Sequence, residues 1–267
     1  PYVEPATFLF WRFAGVLTAM AALSLVWKIS WPSWSQTKHI AVAGILLQFG
    51  YLLGVWFAVR LGMTAGLVAI IVGLQPILTA WFAAWISEKV STRQWIGLAF
   101  GFAGVALVVA EKISFVHIPF VSYLLAFIAL LSITFGTLYQ KKYCPVFDLR
   151  AGSSIQFGVS AILCFICMYL FESGEMVWNL SVTGALLWAI FPLSIGSISL
   201  LFMMIRKGAA TKVTSFLYLV PPTTAVMAWF LFSEPFTVLM AVGLGLTMTG
   251  VVLVNTGKTN NVATIAE

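Results

Sequence analysis

The sequence predicts an all-α polytopic membrane protein: a ten-helix bundle built as an inverted five-plus-five repeat, with nine of the helices in this chain. Three observations predict it. Apolar runs of membrane-spanning length follow one another with short breaks. The basic residues of those breaks fall almost entirely on alternate sides. Two stretches of the chain match each other at a single offset.

The 267 residues are 61% hydrophobic and only 8% charged. Soluble domains carry about a quarter charged residues, so this chain lacks the polar groups to cover itself in water. The bilayer is the solvent that fits. The apolar runs are continuous rather than alternating, which excludes an outer-membrane barrel. They predict helices at 5–27, 39–59, 63–86, 94–110, 118–140, 151–171, 181–204, 211–233 and 235–254. Each lies near the roughly 20 residues that cross the hydrocarbon core at about 1.5 Å rise. The run at 94–110 is short, and Trp95 and Lys112 flank it at the interface. No basic segment precedes a short apolar stretch, so no cleavable signal peptide is expected.

Counting breaks alternately puts Lys28, Lys38, Lys89, Arg93, Lys141, Lys142, Arg150, Arg206, Lys207, Lys212 and Lys258 on one side. Arg60 and Lys112 fall on the other, with Glu4, Glu111, Glu172, Glu175 and Glu234. The positive-inside rule makes the first side cytoplasmic. The helix at 5–27 then runs from outside to inside, and the tail 258–267 is cytoplasmic. The net charge of +6 thus follows membrane topology, and no nucleic-acid partner is expected.

An ungapped offset of 146 aligns Arg60 with Arg206, Gly62 with Gly208 and Pro76 with Pro222. It also aligns Ser87-Glu88 with Ser233-Glu234, Gly97 with Gly243, Gly104 with Gly250, and Lys112 with Lys258. Residues 1–113 form the first repeat (helices two to five) and 114–257 the second (helices six to ten). The offset places a partner for the helix at 118–140 ahead of Pro1, so a first helix is expected to precede this chain. An odd number of helices per half inverts one half relative to the other, the architecture of many secondary transporters.

These residues resemble the drug/metabolite transporter superfamily, in its EamA-type ten-helix branch. The resemblance rests on Trp11-Arg12-Phe13 opening the second helix, Pro76 in the fourth, and the two Ser-Glu pairs, each followed by a Gly-rich helix. It spans Pro1 to about Asn255. It implies a bacterial inner-membrane carrier of small metabolites, often amino acids leaving the cell. It also implies a central cavity, with the fifth and tenth helices at the periphery.

Candidate site residues follow from chemistry that lipid penalises. Arg12 is the charged residue well inside a span, roughly 10 Å below the outer interface. A cation there costs at least about 2.5 kcal/mol unless paired or hydrated. It either grips a substrate carboxylate or phosphate, or serves as scaffold. Gln156 occupies the matching region of the other half. Pro76 and Pro222 fall mid-helix and free the carbonyls of Val72 and Tyr218, and Pro221 frees Leu217. These kinks bend helices at a substrate site or merely shape the bundle. Gln75, Tyr218 and Thr223 lie beside them. Gln48, Tyr51, Ser194 and Ser197 are further substrate-binding candidates, each alone more often an interhelical contact, and Trp11 faces either a cavity or, equally, lipid or a packed neighbour. Glu88 and Glu234 read as helix caps, with proton coupling as the lesser alternative.

Gly97 and Gly101 form a GxxxG that serves either the fold or a dimer contact. Cys164 and Cys167 form a CxxC inside an apolar span, read as packing, with no disulfide, metal or cofactor expected. No span contains Asp or Glu, and Lys212 stands only at the very start of 211–233, so a carboxylate proton relay is not expected and transport reads as uniport-like. The function predicted is a non-enzymatic secondary transporter, chiefly an exporter of amino acids or related zwitterionic or anionic solutes. A lipid or drug-like amphiphile translocator is the alternative. A membrane enzyme or accessory protein is weaker, since no HExxH or GxSxG is present. The expected partners are a small-molecule substrate and membrane lipids, with the chain a monomer or weak homodimer.

Overall fold

The computed structural model describes residues 3–26, 30–110, 118–145, 147–197, 200, 203–204, 210–220, 223, 226–227, 230 and 237–256. Nine helical segments run through them. They are α1 (Pro5–Val26), α2 (Trp34–Arg60), α3 (Ala65–Trp81), α4 (Thr92–Ala110), α5 (Phe120–Tyr143), α6 (Leu149–Phe171), α7 (Leu180–Trp188, widening to a π-helix over Ala189–Ser197), α8 (Ala210–Ser215, tightening to a 3-10 turn over Phe216–Leu219) and α9 (Val238–Thr256). Five of these, α2, α4, α5, α6 and α9, are long and apolar enough to cross a membrane. The described residues contain no strand, only an isolated bridge between Val3 and Met176.

Local chemistry sets the helix ends. Helix α2 starts at Trp34, five residues before the predicted start. Ser33 accepts from the Gln36 amide while the Gln36 side chain accepts from the Ser33 N–H. This reciprocal cap outweighs the polarity of Lys38 and His39. At its far end Gly62 adopts φ +101°, and the Gly62 and Met63 amides fold back onto Val59 and Ala58. Helix α4 begins with the same device, Ser91 and Gln94 capping each other. The cap at this end is therefore Ser91 rather than Glu88, which lies buried three residues earlier. Its partner at the offset of 146, Glu234, lies outside the described residues, as do Pro221 and Pro222.

The predicted kink in α3 is a break. Helical bonding ends with the Gly73 amide on Ala69 and the Leu74 amide on Ile71, and restarts at Gln75. Pro76 sits in the first turn of the restarted piece. There its missing N–H has no acceptor to lose, so the ring is accommodated without the clash of a helix-interior proline. In α7 the π-helix contains Pro192, a residue that sequence reasoning did not single out. Wider turns relieve a proline that an α-helix interior rejects.

Two core clusters organise the packing. The first joins α1, α6 and α7 through Phe8, Phe13, Val16, Phe157, Cys164, Leu186 and Ile190. Phe13 and Phe157 meet at 5.6 Å between ring centroids. Arg12 precedes the first ring as Gln156 precedes the second. The second cluster joins α4 and α9 with Tyr218 of α8 and Ala80 of α3. Here the glycines of α4 meet those of α9. A Cβ on Gly97 would lie 2.7 Å from the Gly250 carbonyl oxygen, and one on Gly104 would lie 2.5 Å from that of Gly243. Gly97 and Gly104 are the offset partners of Gly243 and Gly250. The contacts are thus reciprocal, as a two-fold axis between antiparallel helices produces. The GxxxG is occupied within the chain.

The ends of the bundle are chemically distinct. At one end Arg60 pairs with Glu4 and, at 3.2 Å, with Glu172. Glu172 also accepts from the Ala6 and Thr7 amides, stabilising the start of α1. At the other end the Lys142 ammonium donates to the Trp85 carbonyl at 3.0 Å and lies over the Trp85 ring. His39 shares a 2.7 Å hydrogen bond with Tyr139 and stacks on Tyr143. Lys212 donates to the Asn255 carbonyl at this same end. Arg60, Glu4 and Glu172 are residues that the charge count had grouped together, as are Lys142 and Lys212.

Candidate functional site: a cavity at the helix break

A cavity of about 260 Å³ lies against the break in α3. Its walls are Tyr51 and Val55 of α2, Ala65 to Pro76 of α3, Val105 of α4, Ile133 of α5, and Leu217, Tyr218 and Val220 around α8. The wall residues of α2, α3 and α4 belong to the halves of those helices nearer Arg60, while Gln75, Pro76 and Ile133 lie near mid-length. The lining is mostly aliphatic, with Tyr51, Gln75 and Tyr218 as its polar side chains. Few oriented polar groups in an apolar cavity are the usual construction of a small-molecule site.

Gln75 is 1% exposed, and its amide nitrogen donates to the Thr137 hydroxyl at 3.3 Å. That hydroxyl donates in turn to the Ile133 carbonyl at 2.8 Å, so towards Gln75 it acts as acceptor. The orientation of the Gln75 amide is thereby fixed. Tyr218, also 1% exposed, is the largest fully buried side chain among the described residues and packs against Gly101.

The predicted site residues divide. Tyr51, Gln75, Pro76 and Tyr218 meet at this cavity. Arg12 does not line it. Its Nε donates to the Ser194 hydroxyl at 2.9 Å, and Ser194 donates to the Ala189 carbonyl at 2.7 Å. That carbonyl lies five residues back, in the widened turn around Pro192, so the π-helix and the buried arginine share one bonding scheme. Arg12 is within electrostatic range of Tyr51, a residue of the cavity wall. Gln156 donates to the Gln140 side chain at 2.9 Å, away from the cavity wall. Gln48 is buried in the π-turn of α2, also off the wall.

Trp11 is 41% exposed and packs edge-on against Trp178 near the Arg60 end, so its ring is a surface group rather than a cavity wall. Thr223 is exposed. The side chain of Ser197 lies outside the described residues. Thr137, which orients Gln75, was missed. A threonine inside an apolar helix carries no sequence signal separating it from one bonded to its own backbone.

A larger space of about 570 Å³ sits at the Arg60 end, bordered by Glu4, Trp56, Arg60, Ser173 and Glu175. The Glu4 carboxylate accepts from the Ser173 backbone N–H at 2.7 Å. That bond, together with Arg60, holds its pKa below the ordinary 4.5. Among the described residues no group of three or more His, Cys, Asp and Glu is arranged to hold a metal. Cys144, Cys164 and Cys167 are free thiols.

Comparison with known proteins shows the family and the fold. The EamA-like transporter family matches over residues 1–110 and 120–256. The uncharacterized transporter YvbV of Bacillus subtilis (strain 168) is 30% identical over 251 residues, covering 91% of this chain and 82% of its own. A probable amino-acid metabolite efflux pump of Escherichia coli (strain K12) is 22% identical over 220 residues, covering 78% and 73%. A solved structure titled "Crystal structure of protein" superposes with a TM-score of 0.82 at 18% identity, covering 95% of this chain and 89% of that one. It shares the fold. With the family's model matching two consecutive stretches that together cover nearly all of this helical bundle, the chain belongs to the EamA-like transporter family.

Proposed function

We propose that the protein is a secondary transporter of the bacterial inner membrane, exporting small zwitterionic or anionic metabolites, amino acids foremost, by alternating access. The observation that carries this reading is the cavity at the α3 break, where a mostly aliphatic wall surrounds Gln75, Tyr51 and Tyr218. Broken helices beside a mid-membrane cavity are a recurrent construction of solute sites in transporters. A relative named as a probable amino-acid metabolite efflux pump supports the substrate class. The basic end carrying Lys142 and Lys212 is cytoplasmic by the positive-inside rule, and the C-terminus lies on that side.

Arg12 acts at one remove. Its charge lies within electrostatic range of Tyr51 and biases the potential of the cavity towards carboxylate-bearing solutes. Counterflow of radiolabelled amino acids in vesicles containing the purified full chain tests the reading. Leucine, threonine, glutamine and glutamate are the first panel. Movement of at least one above empty vesicles is expected, reduced in Arg12→Gln. Movement of none, by protein that remains folded, refutes the amino-acid assignment.

A further inference from the structure

Buried polar atoms normally find hydrogen-bond partners, and each exception needs a cause. Among the described residues such exceptions are not scattered. They include the Gln75 carbonyl oxygen and Thr79 hydroxyl of α3, the Gln140 amide nitrogen of α5, the Gln156 carbonyl oxygen of α6, and the Thr211 and Tyr218 hydroxyls of α8. Gln75 and Thr79 are one turn apart on the restarted piece of α3. Gln75 reaches Thr137, Gln140 follows one turn later on α5, and Gln140 reaches Gln156. Helix α8 packs on this same piece of α3. The six groups form one seam between the first repeat and the second. It starts at the floor of the cavity and descends towards the Lys142 end.

We infer that this seam is the cytoplasmic half of the translocation path, shut in the structure described here. The inference rests on the transporter reading above. Burying an unsatisfied amide or hydroxyl disfavours a conformation, because the group gives up its bonds to water and gains none in return. A seam of six such groups is poorly suited to permanent closure and well suited to a wall that water or solute contacts in another state. The restarted piece of α3 is positioned to move. It is detached from the rest of its helix at Gly73 and Leu74. Its far end is fastened to α5 by the Lys142–Trp85 contact and by the packing of Phe82 on Phe135. Amides and hydroxyls without formal charge suit small solutes of zero net charge, zwitterions included.

Thiol labelling tests the seam in the full chain, with its three native cysteines replaced by alanine and the protein reconstituted in vesicles. Thr79→Cys and Gln156→Cys are labelled separately by a membrane-impermeant maleimide added from the Lys142 end. The reference is Ala126→Cys, a fully buried apolar position on α5. Both seam thiols are expected to react at least about tenfold faster than the reference, through an open state populated at a few per cent. Lys142→Ala is expected to speed Thr79→Cys further. Seam thiols as inert as the reference, or reactive only from the Arg60 end, overturn the assignment. Agreement of the two positions guards against one misfolded variant.

A mixture of leucine, threonine and glutamine is expected to change the labelling rate more than a mixture of lysine and arginine. No effect of the first, or an equal effect of the second, overturns the solute class. Counterflow on the same vesicles separates the readings. Transport with inert seam thiols refutes the seam alone, and reactive thiols without transport of any amino acid refute the transporter reading for these solutes.

Discussion

The crossing of α4 and α9 makes a quantitative prediction. In Gly104→Ala the new methyl group would sit 2.5 Å from the Gly243 carbonyl oxygen and 2.7 Å from both the Thr247 amide nitrogen and its methyl group. Carbon atoms approach comfortably at about 3.5–4.0 Å, so the deficit is roughly 1 Å. Two of the three obstructing atoms are backbone, so no rotamer change relieves the clash. The helices must separate, and a gap of 0.5–1 Å forfeits about a quarter to a half of each contact well it opens. Overpacking of this kind costs about 1–3 kcal/mol. Alanine also regains about 1 kcal/mol of helix propensity over glycine, which must be subtracted. Gly245→Ala isolates that gain, because nothing lies within 4 Å of a Cβ there.

Gly104→Ala should therefore lower the melting temperature of detergent-solubilised protein, while Gly245→Ala leaves it unchanged or slightly raised. At about 2–4 °C per kcal/mol for a chain of this size class, a gap of several degrees separates the two variants. Gly250→Ala should match Gly104→Ala, since its Cβ would meet the backbone of Gly97 and Gly101 at 2.5 Å. Gly104→Ala and Gly245→Ala melting together would refute the close crossing.

Further expectations concern the ends and the buried charge. Arg12→Ala removes a charged hydrogen bond to Ser194, worth about 1.5–3 kcal/mol, and should lower the melting temperature; Arg12→Lys should rescue it only partly, because the bonding atom is Nε. Glu172→Gln should loosen the Arg60 end, read as faster amide hydrogen exchange at Ala6 and Thr7 with little change in α9. The Glu4 carboxylate titrates below its ordinary 4.5, so its stabilisation is complete above that pH and is lost as pH falls through the lower folded value. Melting curves should show an acid-side loss that shrinks in Glu4→Gln. Thr137→Val removes the acceptor that orients Gln75, and should weaken solute selectivity in counterflow more than it lowers the melting temperature.

How much was legible in the sequence depended on whether the signal was one-dimensional. Helix positions were legible because lipid forces long apolar runs and allows few alternatives. The grouping of Arg60 with Glu4 and Glu172 was legible because each span reverses the side of the next loop. Pro76 marked the right helix, yet the break itself lies at Gly73 and Leu74. Proline tolerates the first turn of a helix, and sequence alone does not tell an interior proline from one that opens a new piece. Trp11 and Thr223 lie exposed, which residue type and helix position alone do not reveal.

The sequence by itself determined the solvent, the helix order, the glycine positions and the repeat offset of 146. Each follows from residue type and spacing along one chain. The tertiary structure decided which faces meet. It turned the glycines of α4 onto those of α9, gave Arg12 to Ser194 instead of the described cavity, and joined Gln75, Thr137, Gln140 and Gln156 across three helices. The physical reason is that lipid selects apolar runs with little regard to helix rotation, whereas close packing and hydrogen bonding between helices fix rotation and partner.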